Sequence, residues 1–338
     1  MSQPRIILAG GSGFIGQALA CELRRRDYAV TILTRSPRTR TDGIAEIQWD
    51  GRNPGEWVKA LDGAEAVVNL AGQNINCPHT PENLATITSS RVDSVRALAA
   101  ALPRLTQPPR TWVQASAVGY YGDTGDRVCD ETSPAGAGKL AEVCRQWEDA
   151  LGSVPASGAV FRAPAENPKR TEYSPTESPD ARARPAAPGA GALPRRVVLR
   201  IGFVLGREGG ALPVLSKITK LFLGGAVGGG RQYISWIHLA DLIRMLVAAI
   251  TEDLTGVYNA VGPEPVTNAE FMRELRQVYH RPWSPPAPEF AVRLGSRLMN
   301  SEASLALMSA RCVPRRMLER GFKFEFGKLD AALRDLCR

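Results

Sequence analysis

Short apolar runs alternate, along the first half of the chain, with segments in which apolar residues recur every three or four positions. The runs are typical of buried parallel strands, and the segments between them have the periodicity of amphipathic helices. Predicted strands cover residues 6–9, 29–34, 46–50, 66–70, 111–115, 197–206 and 256–261. Predicted helices cover residues 14–19, 90–102, 140–151, 242–250, 268–279, 292–298 and 329–336. This alternation predicts an α/β fold, a doubly wound parallel sheet with a smaller C-terminal cap region.

The pattern also divides the chain. Residues 1–151 form the first strand–helix part, and residues 196–284 complete the sheet and a cleft. Residues 285–338 form a small helical cap. The first two parts are separated by residues 152–195, which are rich in Pro, Ala, Arg and Ser and lack periodicity. Such a segment buries too little apolar surface to offset its ordering entropy, so we predict a disordered insertion. It is a neutral surface insertion or a basic tail for a partner.

A glycine cluster joins the first predicted strand to the first predicted helix. Gly10 would allow a tight turn, and Gly16 would let the helix pack closely. Gly13 would let a pyrophosphate approach the backbone N–H groups at the helix start, where Phe14 and Ile15 lie. A purely structural turn uses the same residues, but the position between strand and helix favours dinucleotide binding.

The end of the second strand indicates which dinucleotide is bound. An acidic residue there would accept hydrogen bonds from a ribose 2′-hydroxyl, whereas an arginine pairs with a 2′-phosphate. The chain has Arg35 at this place, with Arg38 and Arg40 close behind. These residues predict NADP(H) as the cofactor, the alternative being a solvated basic loop.

Two further segments are candidates for the same ligand. Asp50 is the last residue of a short predicted strand, whose end would place it near the adenine. Leu70, Ala71 and Gly72 form a turn of small residues after the central strand, where a ligand could pass closely. Small residues at such a turn are equally common for packing alone.

Composition and charge narrow the function classes. The net charge of +8 comes from dispersed basic residues, without the patches that mark nucleic-acid binding. No apolar run reaches the length of a membrane span, and no targeting leader is visible, so we predict a cytoplasmic protein. The six cysteines and three histidines show no metal-ligand spacing, so no metal site is expected. We predict a small-molecule substrate, no nucleic-acid or membrane partner, and a monomer or homodimer.

Candidate catalytic groups follow the strand at residues 111–115. Ser116, Tyr120 and Tyr121 would lie beyond its carboxyl end, where doubly wound sheets bind ligands. His238 is a fourth candidate, although a hydrogen-bonded structural role is the alternative. The tyrosines could equally be a buried packing ring and a turn residue. Asp241 is predicted to cap the following helix, and Thr267 with Glu270 to form a capping box.

Taken together, these segments resemble the extended short-chain dehydrogenase/reductase superfamily, which includes nucleotide-sugar epimerases and dehydratases. Within it, the chain is similar to the atypical "epimerase family protein" subgroup, sometimes labelled cell-division-inhibitor-like. The matching segments are residues 10–16, 69–72, 90–92, 116–122, 200–206, 236–238 and 313–316. The resemblance implies a Rossmann-like sheet, NADP(H) binding and a C-terminal part that forms the substrate cleft.

The resemblance fails at the catalytic residues. Enzymes of this superfamily use a tyrosine as general acid/base, with a lysine four residues later that lowers the tyrosine pKa. None of the seven tyrosines here has a lysine four residues on. Residues 139–144, where the resemblance places the pair, contain Lys139 but no tyrosine. The usual hydroxyl position holds Ala117, with Ser116 one step earlier and facing the other way.

Two functional hypotheses therefore remain. The first is an NADP(H)-dependent oxidoreductase or epimerase-like isomerase with rebuilt acid/base chemistry on an unknown small substrate. The second is a non-catalytic NADP(H)-binding sensor or scaffold. A role as an interaction protein in cell division is suggested only by the label of the subgroup.

Overall fold

The computed structural model describes residues 3–154, 193–298 and 302–337, and all strands named below lie within these ranges. In chain order they are β1 (Arg5–Ala9), β2 (Ala29–Thr34), β3 (Ala45–Gln48), β4 (Ala66–Asn69), β5 (Thr111–Ala117), β6 (Arg195–Ile201), β7 (Phe203–Leu205), β8 (Tyr233–Ile234), β9 (Trp236–His238), β10 (Gly256–Ala260) and β11 (Val266–Thr267). Most of them match the predicted apolar runs within two residues.

The main sheet has seven strands within the described ranges, in the order β10-β6-β5-β4-β1-β2-β3, and all neighbours are parallel. The strand order reverses at β1, which has β2 on one side and β4 on the other. In such sheets the crevice beyond the carboxyl ends at this reversal is the place where ligands bind. The predicted doubly wound, Rossmann-like fold is confirmed.

Helices cover both faces of this sheet. The helices of the described ranges are α1 (Phe14–Arg25), α2 (Val58–Leu61), α3 (Pro81–Ala101), α4 (Lys139–Gly152), α5 (Leu212–Lys220), α6 (Leu239–Thr251), α7 (Asn268–Val278), α8 (Glu289–Leu298), α9 (Ser304–Leu307), α10 (Arg315–Glu319) and α11 (Leu329–Leu336), and some of them do not contact the main sheet. Helices α1 and α6 pack together over one apolar core, and α3 and α4 over the other.

Helix α3 begins nine residues before its predicted start at Ser90. Thr80 caps it, because its side-chain oxygen accepts a hydrogen bond from the Asn83 N–H at 3.2 Å, and Pro81 occupies the first helical position. Both are ordinary start signals. The apolar periodicity of this first part is too weak to reveal the helix.

The single strand predicted at residues 197–206 is wrong, because the chain changes partners at Gly202. The Gly202 N–H donates to the Ala260 carbonyl at 3.1 Å, but the Phe203 N–H donates to the Ser235 carbonyl at 2.7 Å. Strand β7 thereby leaves the main sheet and pairs with β9. A side chain on Gly202 would lie 2.3 Å from the Ser235 carbonyl oxygen, so this crossing needs a glycine.

Both limits of the predicted insertion at residues 152–195 belong to regular structure. Gly152 ends α4, and Arg195 opens β6, where its guanidinium donates to the Thr111 hydroxyl at 2.8 Å. Residues 155–192, which carry most of the predicted insertion, lie outside the described residues.

The last part of the chain docks against the start of α6 through Asp241. The carboxylate is fully buried and accepts hydrogen bonds from the N–H groups of Glu325 and Phe326 at 2.8 and 2.9 Å. The prediction that Asp241 caps α6 is therefore wrong, and His238 is the cap. The predicted capping box of Thr267 and Glu270 at α7 is confirmed.

Candidate functional site

The glycine turn between β1 and α1 brings three backbone segments into close contact. Gly10 has φ of +73°, and a Cβ there would lie 2.7 Å from the Ala71 Cα, in the turn that follows β4. A Cβ on Gly16 would lie 2.5 Å from the Cα of Gly11. Gly10 and Gly16 are thus required for packing, and Gly16 contacts the turn rather than the strand.

Gly13 differs from the other two glycines because its side-chain position is open. A Cβ there would meet only the Gly10 carbonyl oxygen, at 3.9 Å, and its φ of −81° suits any residue. Gly13 gives α1 no side-chain cap, and the first turn has no acidic residue. The first N–H groups of α1, including those of Phe14 and Ile15, have no partner within the helix. This arrangement fits a phosphate group.

The Phe14 ring joins this turn to the second half of the chain. Side chains on Gly206 and Gly209 would lie 2.4 and 2.3 Å from atoms of the ring, so both glycines are needed to let the loop after β7 cover it. The Phe14 ring is therefore a packing group, and its predicted role in cofactor binding stays a prediction.

The end of β2 carries a free positive charge. Thr34 stands at the last strand position, where an acidic residue would select a 2′-hydroxyl, and the next residue, Arg35, is exposed. Among the described residues, no hydrogen bond or ion pair engages the Arg35 side chain. Arg40 is different, because its guanidinium binds the carboxylates of Asp42 and Glu46. Of these two arginines, Arg35 is available for a ligand.

Asp50 completes a local turn. Its carboxylate accepts hydrogen bonds from the backbone N–H groups of Arg52 and Asn53, at 2.8 and 2.9 Å, and from the Asn53 side chain at 2.7 Å. These bonds lower the pKa of Asp50. The predicted contact between Asp50 and an adenine stays a prediction.

The turn at Leu70, Ala71 and Gly72 is held by buried polar groups. The Leu70 N–H donates to the Ala9 carbonyl at 2.8 Å, and the Ala71 N–H donates to the Asn69 side chain at 3.1 Å. The Asn69 side-chain amide in turn donates to the hydroxyl of Ser94 and to the side-chain oxygen Oε1 of Gln114. This turn lies beside Gly10, at the reversal of strand order.

A row of polar residues crosses the carboxyl ends of β5, β6 and β10. Ser116, Arg200 and Asn259 are paired in register across the three strands. Glu148 of α4 binds Arg200 in a two-pronged ion pair, with N···O distances of 2.9 and 2.7 Å, and accepts the Ser116 hydroxyl at 2.6 Å. All four residues are buried. The hydroxyl of Ser116 is therefore committed to Glu148.

Both predicted catalytic tyrosines contact this row. The Tyr121 hydroxyl donates to the Asn259 side chain at 2.7 Å and accepts from Arg200 at 2.9 Å. The ring of Tyr120 lies against the Arg200 guanidinium, with 3.4 Å between the Cζ atom and the ring centroid. Burial raises the pKa of both tyrosines, so each holds its proton at neutral pH.

The structure therefore brings Ser116, Tyr120 and Tyr121 together through two residues that the sequence pattern did not single out, Glu148 and Arg200. A charged residue inside the apolar run of β6 was the available signal, because a buried charge needs a partner. Its partner could not be identified from the sequence, since Glu148 lies in another element.

His238 lies in a different environment. Its Nδ1 accepts the Ala240 N–H at 3.1 Å, so the neutral ring carries its proton on Nε2, which lies 3.4 Å from the Asp335 carboxylate. The ring stacks on Phe326, with centroids 3.9 Å apart. These contacts cap α6 and dock the end of the chain.

Protonation of His238 is expected to lower the free energy of unfolding as the pH is lowered. Burial lowers the pKa of His238 below its ordinary value, so the unfolded chain takes up the proton first as pH decreases below about 6.5. His238→Asn keeps a capping side chain but cannot titrate. Urea unfolding at pH 7.5 and 5.5 should show a smaller pH-dependent loss for the variant than for the unmodified protein. An equal loss would contradict this role.

Near the end of β5, helix α4 lacks the tyrosine and lysine that enzymes of the resembled superfamily use. Leu140 and Cys144, four residues apart, are the α4 side chains nearest to Gly119, at 3.7 and 3.6 Å from its Cβ position. Burial raises the pKa of Cys144 to about 12. Lys139, at the start of α4, donates to the His79 carbonyl at 3.2 Å.

Comparison with known proteins identifies the family. Residues 6–143 match the model of the NAD dependent epimerase/dehydratase family, and residues 287–336 match a domain of unknown function, DUF1731. Epimerase family protein SDR39U1 homolog, chloroplastic, of Arabidopsis thaliana is 33% identical over 98% of this chain and 86% of its own length. The chain belongs to the epimerase family.

Two solved structures of similar proteins also cover nearly the whole chain. Human epimerase family protein SDR39U1 (isoform 2), crystallised with NADPH, is 31% identical with a TM-score of 0.77, covering 98% of both chains. The nucleoside-diphosphate sugar epimerase from Corynebacterium glutamicum is 29% identical with a TM-score of 0.71, covering 99% of this chain and 58% of its own. The predicted membership of the epimerase family protein subgroup is confirmed.

Two negative findings concern the described residues alone. None of the helices in these ranges has the length and apolar character needed to cross a bilayer. The same ranges contain no cluster of three or more His, Cys, Asp or Glu residues suited to a metal ion.

Proposed function

We propose that this epimerase family member binds NADP(H) at the crevice beside β1 and acts on a small molecule, as an oxidoreductase or an epimerase-like isomerase. The observation that carries the proposal is the open side-chain position of Gly13 at the uncapped start of α1. A packing glycine would face protein atoms, as Gly10 and Gly16 do. Gly13 faces open space where helix N–H groups can receive a phosphate.

Other residues would complete the cofactor site. The N–H groups of Phe14 and Ile15 would hold the pyrophosphate, and Leu70, Ala71 and Gly72 would line its path beside Gly10. Arg35 would pair with the 2′-phosphate. Human SDR39U1, of similar fold, was crystallised with NADPH, which supports this choice. When bound, the nicotinamide supplies or accepts a hydride.

For proton transfer we propose Tyr120. The hydroxyls of Ser116 and Tyr121 each bond to a buried neighbour, so these two residues would position the Tyr120 ring and Arg200. Arg200 would favour a phenolate on Tyr120 as the proton leaves, by the attraction between opposite charges. The contacts of His238 support a structural role instead.

A non-catalytic NADP(H)-binding sensor or scaffold is the second candidate. Residues 139–144, where the resemblance places the tyrosine and lysine, present Leu140 and Cys144 near the end of β5, and the raised pKa of Cys144 makes its thiol a poor acid at neutral pH. Oxidation of bound NADPH by a carbonyl compound, lost in Tyr120→Phe, would support the enzyme.

A cytoplasmic location, a monomeric or homodimeric state and a link to cell division stay predictions.

Selectivity for the 2′-phosphate tests the cofactor directly. Arg35→Ala should weaken NADPH binding by about 1.5–3 kcal/mol, or roughly 10- to 150-fold, because it removes a charged hydrogen bond. NADH, which lacks the 2′-phosphate, should bind the variant and the unmodified protein alike. The measurement is a fluorescence titration with both nucleotides.

Arg40→Ala is the matched control, because Arg40 is already engaged by Asp42 and Glu46. It should leave the ratio of NADPH to NADH affinity unchanged. Equal losses for both nucleotides in Arg35→Ala would show that Arg35 does not bind the 2′-phosphate.

A further inference from the structure

Arg91 of α3 is a positive charge without a carboxylate partner among the described residues. Its Nη1 donates to the backbone carbonyls of Gln73 and Ile87, both at 3.0 Å. Its Cζ lies 5.0 Å from the Trp147 ring centroid. Two carbonyls and an aromatic face hold the guanidinium in place but do not neutralise it.

The position of Arg91 connects it to the cofactor turn. A Cβ on Gly72 would lie 3.0 Å from the Arg91 Cζ and 3.2 Å from both terminal nitrogens. Gly72 directly follows Ala71, which packs against Gly10. The guanidinium therefore lies against the turn at Gly72, and the lack of a side chain on this glycine allows the close approach.

Burial makes this arrangement costly. Arg91 is half-buried, and the partial loss of water around its guanidinium lowers the pKa of this group, although an arginine stays charged at neutral pH. A buried charge is ordinarily paired. Arg200, a buried arginine of the same chain, binds the Glu148 carboxylate. Arg91 keeps its remaining N–H groups without such a partner.

We propose that Arg91 pairs with an anionic oxygen group of the bound ligand, a phosphate or a carboxylate. This inference rests on the proposed function, since it places the ligand in the same crevice. Two sources supply this chemistry: the pyrophosphate of NADP(H), which would pass the turn at Gly72, and an acidic group on the substrate. A planar guanidinium anchored on one nitrogen retains donors that suit either group.

Binding measurements on Arg91→Met separate these sources. The probes are NADPH, adenosine 2′-monophosphate, which carries the 2′-phosphate but no pyrophosphate, and inorganic phosphate added to the NADPH complex. If Arg91 binds the cofactor, the variant should bind NADPH at least tenfold more weakly and the monophosphate unchanged. If it binds the substrate, NADPH affinity should be retained and binding of inorganic phosphate to the complex lost.

Arg96→Met is the control, because it removes an exposed arginine from the same helix. It should leave all three affinities unchanged. Arg91→Lys keeps the charge but not the fork of donors, so its losses should lie between those of the unmodified protein and Arg91→Met. This variant also serves if Arg91→Met does not fold.

Two results would overturn the inference. Equal weakening of NADPH and the monophosphate would mean that Arg91 only holds the loop at Gln73. Unchanged binding of all three probes would mean that it contacts no ligand. If the unmodified protein binds phosphate through Arg91 but does not bind NADPH, the proposed function fails while the anion site stands.

Discussion

Gly13→Val is expected to abolish NADP(H) binding and to leave the protein folded. The two γ-methyl groups would occupy the open space in front of α1, where the pyrophosphate must approach the backbone. We expect a loss of at least about 100-fold, equivalent to roughly 2.7 kcal/mol. The extended conformation of Gly13 accepts valine, and replacing glycine at a helix cap costs only about 1 kcal/mol of stability.

Gly16→Val is the matched comparison within the same motif. Its Cβ would lie 2.5 Å from the Gly11 Cα, so this variant should fail in folding, seen as a large drop in the urea midpoint. Gly13→Val should lower the midpoint only slightly, by the loss of about 1 kcal/mol, and lose its ligand. Unchanged NADPH affinity in a folded Gly13→Val protein would show that no phosphate is bound at this turn.

Arg200→Met should cause a large loss of stability. It leaves the Glu148 carboxylate buried beside Ser116 without its counter-charge, and breaking a buried ion pair from one side costs about 3–5 kcal/mol. The measurement is the free energy of unfolding in urea. The exposed pair of Arg25 and Glu22, at 3.0 Å, provides the control, and Arg25→Met should cost less than about 1 kcal/mol.

The double variant Arg200→Met/Glu148→Leu tests the cause of that loss. Removing both charges eliminates the unpaired carboxylate, so the double variant should be more stable than Arg200→Met alone. If the two substitutions add, or if Arg200→Met costs less than about 1 kcal/mol, the ion pair does not hold the row together.

Local patterns predicted the fold well because the sheet is buried on both faces. The apolar run at Ala29–Thr34 became β2 with its predicted limits, and the helix at Leu329–Leu336 likewise became α11. The wrong predictions concern residues whose hydrogen-bond partners lie far away along the chain. Asp241 looked like a helix cap, but N–H groups more than eighty residues later along the chain bind its carboxylate.

The candidate site likewise has one part that the sequence predicted and another part that it did not. The glycine turn is local, so its position between strand and helix was predictable from spacing. The row of Ser116, Arg200 and Asn259 depends on strand register, which spacing does not set, and on Glu148 from another element. The open position at Gly13 likewise follows from packing, because neighbouring Gly10 and Gly16 face protein atoms.

Titration of the unmodified protein with NADPH and NADH by isothermal calorimetry tests the central claim most directly. The account predicts binding of NADPH with one site per chain and at least tenfold weaker binding of NADH, because only NADPH offers Arg35 a 2′-phosphate. Absence of binding for both nucleotides, or equal affinity for the two, would contradict it.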